Sequence, residues 1–417
     1  MEKIVVEGGN RVEGKISISG MKNSALPIIF ACLLIPHECI IENVPRVSDV
    51  YNALEILRSM GAIAYFCDKN TVLIDTKNAN HIVKRQDLVC KMRASSYLMG
   101  AMLARFGEAC IGMPGGCNFG ARPLDLHFKG FEQLGAEFEE ISDLISIKSV
   151  KKLKSAKITL DKISVGATIN MVLASFMLDG DTVIENCAQE PHVDDLICFL
   201  NLCGANITRD GKNIRCFGGK KLYGTTYRIF PDMIEALTYA TCVGICKGDV
   251  VLGNIYPQHL SYVIRLYEAI GFDICVHQDK MRVKVENITG CDAVTAPYPM
   301  FPTDLHPQFA ALLCFSQFGG TICDEIFPTR FAYVNELVKM SANIKQIGNA
   351  AIIKPSKMVG ANLDATDLRA GAALVLAALG AKGTSIINNV NYIVRGYESL
   401  VEKIASIGGK IKIYKEN

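Results

Sequence analysis

Runs of small and apolar residues recur along this chain, beginning near Lys22, Arg93, Ser164, Asp232, Thr303 and Thr366. The intervals are 71, 71, 68, 71 and 63 residues, which marks an internal repeat. Each run predicts a helix, and a short strand-like segment follows it. The strands are clearest in Cys39–Asn43, Thr182–Asn186 and Thr384–Asn388. A second, amphipathic segment then closes each copy at Gly61, Gly135, Gly204, Gly271, Ser341 or Gly408. Five of these six are glycines, suited to the left-handed backbone that ends a helix. The unit therefore reads helix, strand, helix, strand.

One such unit cannot bury its own apolar faces, so the copies must pack on one another. Six copies divide most simply into two domains of three, covering 21–230 and, together, 1–20 with 231–417. The N-terminal strand Lys3 to Ser19 then pairs with the last three copies. The chain crosses between domains near Gly20 and near Phe230, and two such hinges permit closure over a ligand held in a cleft.

The repeat also aligns charged residues. Arg122, Arg330 and Arg395 fall 11 to 13 residues before the residue closing their copy, near the start of its second helix. Lys22, Arg93, Asp304, Asp367 and Arg369 fall at the start of first helices. Helix N-termini and cations at equivalent ends suit phosphate and carboxylate groups. Alternatively, Asp304 and Asp367 are first-turn carboxylates that follow the caps Thr303 and Thr366 and complement a helix dipole.

Composition narrows the classes. The 44 basic and 42 acidic residues leave a formal charge of +2, spread evenly, so no polybasic face points to nucleic acid or a membrane surface. No apolar run reaches the ~18 residues of a membrane span, and the N-terminus lacks a signal-peptide pattern. The sixteen cysteines form no CxxC pair and many sit in apolar runs. A reducing cytoplasm, with most thiols acting as small core hydrophobes, is the expected setting. One thiol stands apart. Cys117 lies in Pro114-Gly115-Gly116-Cys117-Asn118-Phe119-Gly120-Ala121-Arg122, a glycine-rich, lid-like loop. The cation of Arg122 lowers a neighbouring thiol's pKa and fits it to act as acid or nucleophile.

Pro114 to His127, Lys22-Asn23, Met92-Arg93-Ala94-Ser95, Lys162 to Thr168, Phe301-Pro302-Thr303-Asp304, Ala365-Thr366-Asp367-Leu368-Arg369 and Arg395-Gly396-Tyr397-Glu398 all occur in the chain. Together they resemble the enolpyruvyl transferase family, in the form that acts on UDP-N-acetylglucosamine, from end to end of the chain. The resemblance implies an α/β fold: a two-domain inside-out α/β barrel of six repeated helix–strand units, three per domain. It implies transfer of the enolpyruvyl group from phosphoenolpyruvate to the sugar 3-hydroxyl with release of phosphate, the committed step of peptidoglycan precursor synthesis.

On the same resemblance Cys117 is the acid that protonates phosphoenolpyruvate, and it is the thiol alkylated by fosfomycin. Asp304 is the base, and Lys22, Arg93, Arg122, Arg330, Arg369 and Arg395 neutralise the phosphate and carboxylate. Lys22 and Arg395 join Cys117 and Asp304 as catalytic residues. The nucleotide sugar falls to Asn23, Pro123, Leu124, Asp125, Leu126, His127, Lys162, Ser164, Val165 and Gly166, Asp304 and Asp367 are further substrate-binding residues, and Tyr97 packs near the nucleotide or in the core. No metal or cofactor is implied; the partners are the two small-molecule substrates. Two positions depart from the family pattern: Met233 stands where arginine is usual and Val394 where aspartate is common. A 5-enolpyruvylshikimate-3-phosphate synthase shares the repeats but lacks the cysteine loop, and a silent paralogue that only binds UDP-sugar is the alternative from another class.

Overall fold

The computed structural model describes residues 2–116, 123–149 and 152–415. It divides into two compact units: residues 2–19 with 231–415, and residues 20–116 with 123–230. Among the described residues there are six sheets, five of four strands and one of three.

The long apolar runs form helices that have no polar side to show. Lys22–Ala31, Met233–Cys246 and Leu368–Gly380 are buried almost end to end. A helix apolar all round is stable only when enclosed, and neighbouring helices together with the sheets supply the enclosure. Their strands alternate accordingly: in Glu38–Glu42 the side chains of Cys39 and Ile41 point into the core, and in Thr384–Asn388 those of Ser385 and Ile387 do.

The expected helix–strand–helix–strand order is one strand short. In five of the six copies the second helix is followed by an antiparallel hairpin, as in Asn206–Asp210 with Asn213–Phe217, or Phe272–His277 with Lys280–Val285; in the last, Lys410–Lys415 follows alone and pairs with Glu2–Glu7. Asp210-Gly211, with Gly211 at φ 55°, marks a hairpin turn whose sequence signal was present. Short parallel strands such as Lys157–Thr159 and Asn362–Asp364 also precede the apolar helices.

The six closing residues all take positive φ: Gly61 97°, Gly135 92°, Gly204 106°, Gly271 109°, Ser341 66° and Gly408 95°. Ser341 adopts the same left-handed turn despite its Cβ. A second recurring device was not anticipated. Asn43, Asn186, Asn254 and Asn389, each just past a strand, sit at φ 55–59°. Their side-chain amides donate to Ile229 O, Leu160 O, Ile18 O and Ala365 O, the first carbonyl beyond the parallel neighbour strand. Each asparagine therefore staples the ends of two parallel strands where they turn toward the helices.

Strand exchange explains the discontinuous units. Glu13–Ser17 runs parallel to Asp249–Gly253, whereas Thr226–Arg228 runs parallel to Glu38–Glu42. Glu2–Glu7 lies between Thr384–Asn388 and Lys410–Lys415. Of the fifteen described cysteines eight are buried, but Cys67, Cys90, Cys110, Cys198 and Cys275 are exposed. Cys275, for example, falls on the outward side of an edge strand, so the expectation of core thiols holds for only about half of them.

Candidate active site

In the unit of residues 2–19 and 231–415, four predicted site residues meet: Asp304, Arg330, Asp367 and Arg369. Asp304 lies in the turn Thr303–Leu305 that leads into the helix His306–Cys314. Its Oδ1 accepts from Arg330 Nη1 at 2.9 Å, and its Oδ2 from Arg369 Nη2 at 3.1 Å and Nε at 3.3 Å. The two arginine side chains are 2 % and 1 % exposed, whereas that of Asp304 is 30 % exposed. The carboxylate is thus the accessible edge of a buried cationic pair.

Burying two guanidinium groups is costly unless charge and hydrogen bonds compensate. Burial pulls the Arg330 pKa down, but the carboxylates of Asp304 and Asp367 outweigh it and the net shift is upward. For Arg369 burial is likewise outweighed, chiefly by Tyr397, Asp304 and Asp232. The Arg369 guanidinium stacks 5.1 Å from the Tyr397 ring centroid. Gln308 Nε2 donates to Asp304 O at 3.1 Å and to Tyr397 Oη at 2.9 Å, joining both sides of the cluster. Arg369 Nη1 is buried with no hydrogen-bond acceptor, a donor that an anion would satisfy.

Asp367 is itself the cap of the helix Leu368–Gly380. Its Oδ1 accepts from Arg369 N at 2.8 Å and Ala370 N at 3.0 Å, and lies 3.9 Å from Arg330 Nη2. The expected caps are therefore corrected. Thr366 Oγ1 is buried without a hydrogen bond, and the Thr303 hydroxyl donates to Asp324. The reason is geometric: Asp367 is the last residue with extended backbone, so its carboxylate, one residue later than expected, faces the free N–H groups. Arg395 is half-buried in the turn after Val390–Ile393, while Met233 is buried and Val394 exposed.

In the unit of residues 20–116 and 123–230, Lys22 opens its helix and its Nζ lies 3.3 Å from Asp49 Oδ2, both side chains being nearly buried. Arg93 Nη2 donates to Pro123 O at 3.2 Å, and burial pulls its pKa down. His127 is buried, and burial, then the charge of Arg93, pushes its pKa down to about 3. The neutral ring accepts at Nδ1 from Asn170 Nδ2 at 2.8 Å, which leaves the proton on Nε2. Asn170 also donates to Ser96 O and accepts from Gly100 N, so it locks three helices around His127.

Gly166 packs under that imidazole, where a Cβ would lie 3.0 Å from Cε1. Ser164 Oγ caps the helix Val165–Ser175 by accepting from Ala167 N at 3.3 Å. Lys162, Pro123 and Asp125 are exposed, Asn23, Val165, Leu126 and Tyr97 half-buried, and Leu124 buried. Cys117 and Arg122 lie outside the described residues. Sequence reasoning missed Asn170, Gln308 and Asp324, because a single buried polar residue on an apolar helix or strand carries no pattern of its own.

A cavity of about 410 Å³ lined by Gly244–Lys247, Cys314–Gln317 and Leu379–Gly380 holds none of the predicted site residues. It sits at the opposite helix ends from Asp304 and Arg369.

Residues 6–404 match the family model of EPSP synthase (3-phosphoshikimate 1-carboxyvinyltransferase). The chain is 42 % identical over 419 residues to a UDP-N-acetylglucosamine 1-carboxyvinyltransferase of Halothermothrix orenii, covering 100 % of both proteins. It is also 42 % identical to one of Clostridium botulinum, covering 99 % of each. In fold it is similar to the enolpyruvyl transferase NikO from Streptomyces tendae, with TM-score 0.90, 23 % identity and coverage of 100 % and 99 %. An EPSP synthase from Acinetobacter baumannii gives TM-score 0.79 at 17 % identity, with both chains covered fully. With a family model spanning nearly all of it and full-length relatives above 40 % identity, the chain belongs to the enolpyruvyl transferases, in the UDP-N-acetylglucosamine 1-carboxyvinyltransferase family.

Proposed function

We propose that this chain transfers the enolpyruvyl group from phosphoenolpyruvate to the 3-hydroxyl of UDP-N-acetylglucosamine, releasing phosphate, in peptidoglycan precursor synthesis. The observation that carries this reading is the Asp304 carboxylate at the exposed edge of two buried arginines, in a chain 42 % identical end to end to relatives with that name. In the addition step the sugar oxygen attacks C2 of phosphoenolpyruvate. Asp304 takes the hydroxyl proton and the Cys117 thiol delivers one to the methylene carbon. In the elimination step the methyl group returns a proton, the C2–O bond to phosphate breaks, and the enol ether forms.

Arg330 and Arg369 face the charge that moves between carboxylate and phosphate, with Lys22, Arg93, Arg122 and Arg395 as further cations. Asn23, Pro123, Leu124, Asp125, Leu126, His127, Lys162, Ser164, Val165 and Gly166 are assigned to the nucleotide sugar, with Asp367 a further substrate-binding residue. A two-domain inside-out barrel, bounded at 21–230 and at 1–20 with 231–417, is the architecture proposed. Its support is the burial of wholly apolar helices among other helices and sheets.

Phosphate release measured with both substrates tests the activity, and omission of either substrate should abolish it. Release with shikimate 3-phosphate instead of the nucleotide sugar would favour the EPSP synthase alternative. Binding of UDP-N-acetylglucosamine without release would favour the silent paralogue. Cys117→Ser should fold yet lose nearly all turnover, because a hydroxyl is a far weaker acid than a thiol beside a cation. Fosfomycin should add to Cys117, which peptide mass spectrometry locates.

A further inference from the structure

The strand Gly320–Asp324 ends differently from its counterparts. At four other strand ends an asparagine in the left-handed conformation reaches across to the parallel neighbour. Here the next residue is Glu325, and the bridge is made by the strand's own last residue, Asp324, to Thr295 on the parallel strand.

Asp324 is wholly buried, and its two oxygens serve different segments. Oδ1 accepts from Thr295 Oγ1 at 2.7 Å, Ile326 N at 3.0 Å and Phe327 N at 2.9 Å. These bonds fix the loop that leads to Arg330, whose N–H bonds Phe327 O at 3.0 Å. Oδ2 accepts from Thr303 Oγ1 at 2.7 Å, which ties down the turn that carries Asp304. Burial alone would raise the Asp324 pKa, but His306, the Phe327 amide and the two threonine hydroxyls hold it at about 2.

His306 lies behind this carboxylate, its Nδ1 3.2 Å from Asp324 Oδ2. Its Nε2 takes the Tyr333 hydroxyl at 2.8 Å. One carboxylate thus sets both halves of the Asp304–Arg330 ion pair, by separate oxygens.

We propose that Asp324 is a positioning residue for the transfer reaction, holding the Thr303–Leu305 turn so that Asp304 meets the arginines and the sugar hydroxyl. The role rests on the reading of Asp304 as the base. In Asp324→Asn the two loop amides keep the remaining oxygen at Oδ1, and an NH2 replaces the acceptor that faces Thr303. The Thr303 hydroxyl, which donated to a carboxylate, can then only accept from a neutral amide beside the donor from Arg330, and the charge-assisted bond that anchors the turn is lost. Thr303→Val removes the same bond from the other side, while Thr303→Ser keeps it.

The test measures kcat and KM for both substrates, with hydrogen exchange at the amides of 304–308, on these variants and on the Asp324→Asn/Thr303→Val double variant. A displaced catalytic group costs on the order of 10- to 100-fold in rate. Asp324→Asn and Thr303→Val should each lose that much kcat with a smaller change in either KM, and exchange at the turn should quicken. Thr303→Ser should stay within about twofold of the parent, and the double variant should be no worse than the poorer single one. Full kcat in Thr303→Val, unchanged exchange in Asp324→Asn, multiplying losses in the double variant, or Thr303→Ser as poor as Thr303→Val would each overturn the proposal. If Asp324→Asn does not fold, Thr303→Val and Thr303→Ser decide it alone. Asp304→Asn, assayed in parallel, separates the two ideas: full turnover there removes the base assignment, while exchange at the turn still decides whether Asp324 holds it.

Discussion

At the residue scale, Asp304 answers to two demands that pull apart. It is assigned to take a proton, yet it also compensates two guanidiniums that are almost wholly buried. Removing one partner from such a cluster leaves uncompensated charge, a loss on the order of 3–5 kcal/mol. Asp304→Ala should therefore lower the thermal midpoint markedly as well as abolish turnover. Asp304→Asn, which keeps shape and an acceptor oxygen, should abolish turnover with a smaller thermal loss. Scanning calorimetry and phosphate release on the pair separate the two demands.

His127 makes a pH prediction. Its pKa falls from 6.5 to about 3 on folding, so below 6.5 the unfolded chain takes up a proton that the folded one refuses. Its contribution to stability is complete above pH 6.5 and is lost as pH falls toward 3. Replacement by Gln should flatten that part of the profile, read as thermal midpoints at pH 7 and pH 5. This residue was legible as a loop-motif member, but its neutral state follows from burial and from Asn170, which no sequence spacing announces.

At the element scale, the six closing turns were readable because glycine is chemically conspicuous where the backbone must turn left-handed. They differ in what surrounds them. At Gly271 a Cβ would fall 2.6 Å from Asn287 O, whereas nothing lies within 4 Å of one at Gly135. Gly135→Ala should cost only the left-handed strain, about 1–2 kcal/mol, and Gly271→Ala distinctly more. Ser341→Gly should raise stability by up to about 1 kcal/mol, since it relieves φ 66° at an exposed position. Urea unfolding of the three variants checks the order. The hairpins after the second helices were missed for the opposite reason. Their strands are short and half-exposed, and their alternation is weaker than the helix pattern before them.

At the scale of the whole molecule, the chain passes from one unit to the other at residues 19–20 and 230–231. Beside the first crossing Ser19 is clamped within its own unit. Its N–H donates to Glu235 Oε2 at 2.8 Å, its hydroxyl accepts from Lys403 Nζ at 2.6 Å, and its carbonyl accepts from Asp232 N at 2.9 Å. Glu235 and Lys403 also pair with each other at 2.5 Å, and the glutamate is buried. Lys403→Met should cost roughly 3 kcal/mol by stranding that carboxylate, and adding Glu235→Gln should restore part of the loss. Denaturant titration of the single and double variants measures both.

Periodicity along the chain determined the spacing of the apolar helices and the places where their partners end, and the ordered motifs carried the resemblance to the family, since each depends on residue types at fixed local distances. The motif around Cys117 was equally legible, though Cys117 and Arg122 themselves lie outside the described residues. What only the tertiary structure decided is which side chains share a charge. The pairing of Asp304 with Arg330 and Arg369 joins residues 26 and 65 positions apart, and that of Lys22 with Asp49 spans 27. The capping role of Asp367 depends on where one backbone turns, and the hold of Asp324 on Thr303 depends on where a strand ends beside a helix. Coulombic and hydrogen-bond energies are set by distances through space and by the exclusion of water, and neither exists until the sheets have closed around the helices.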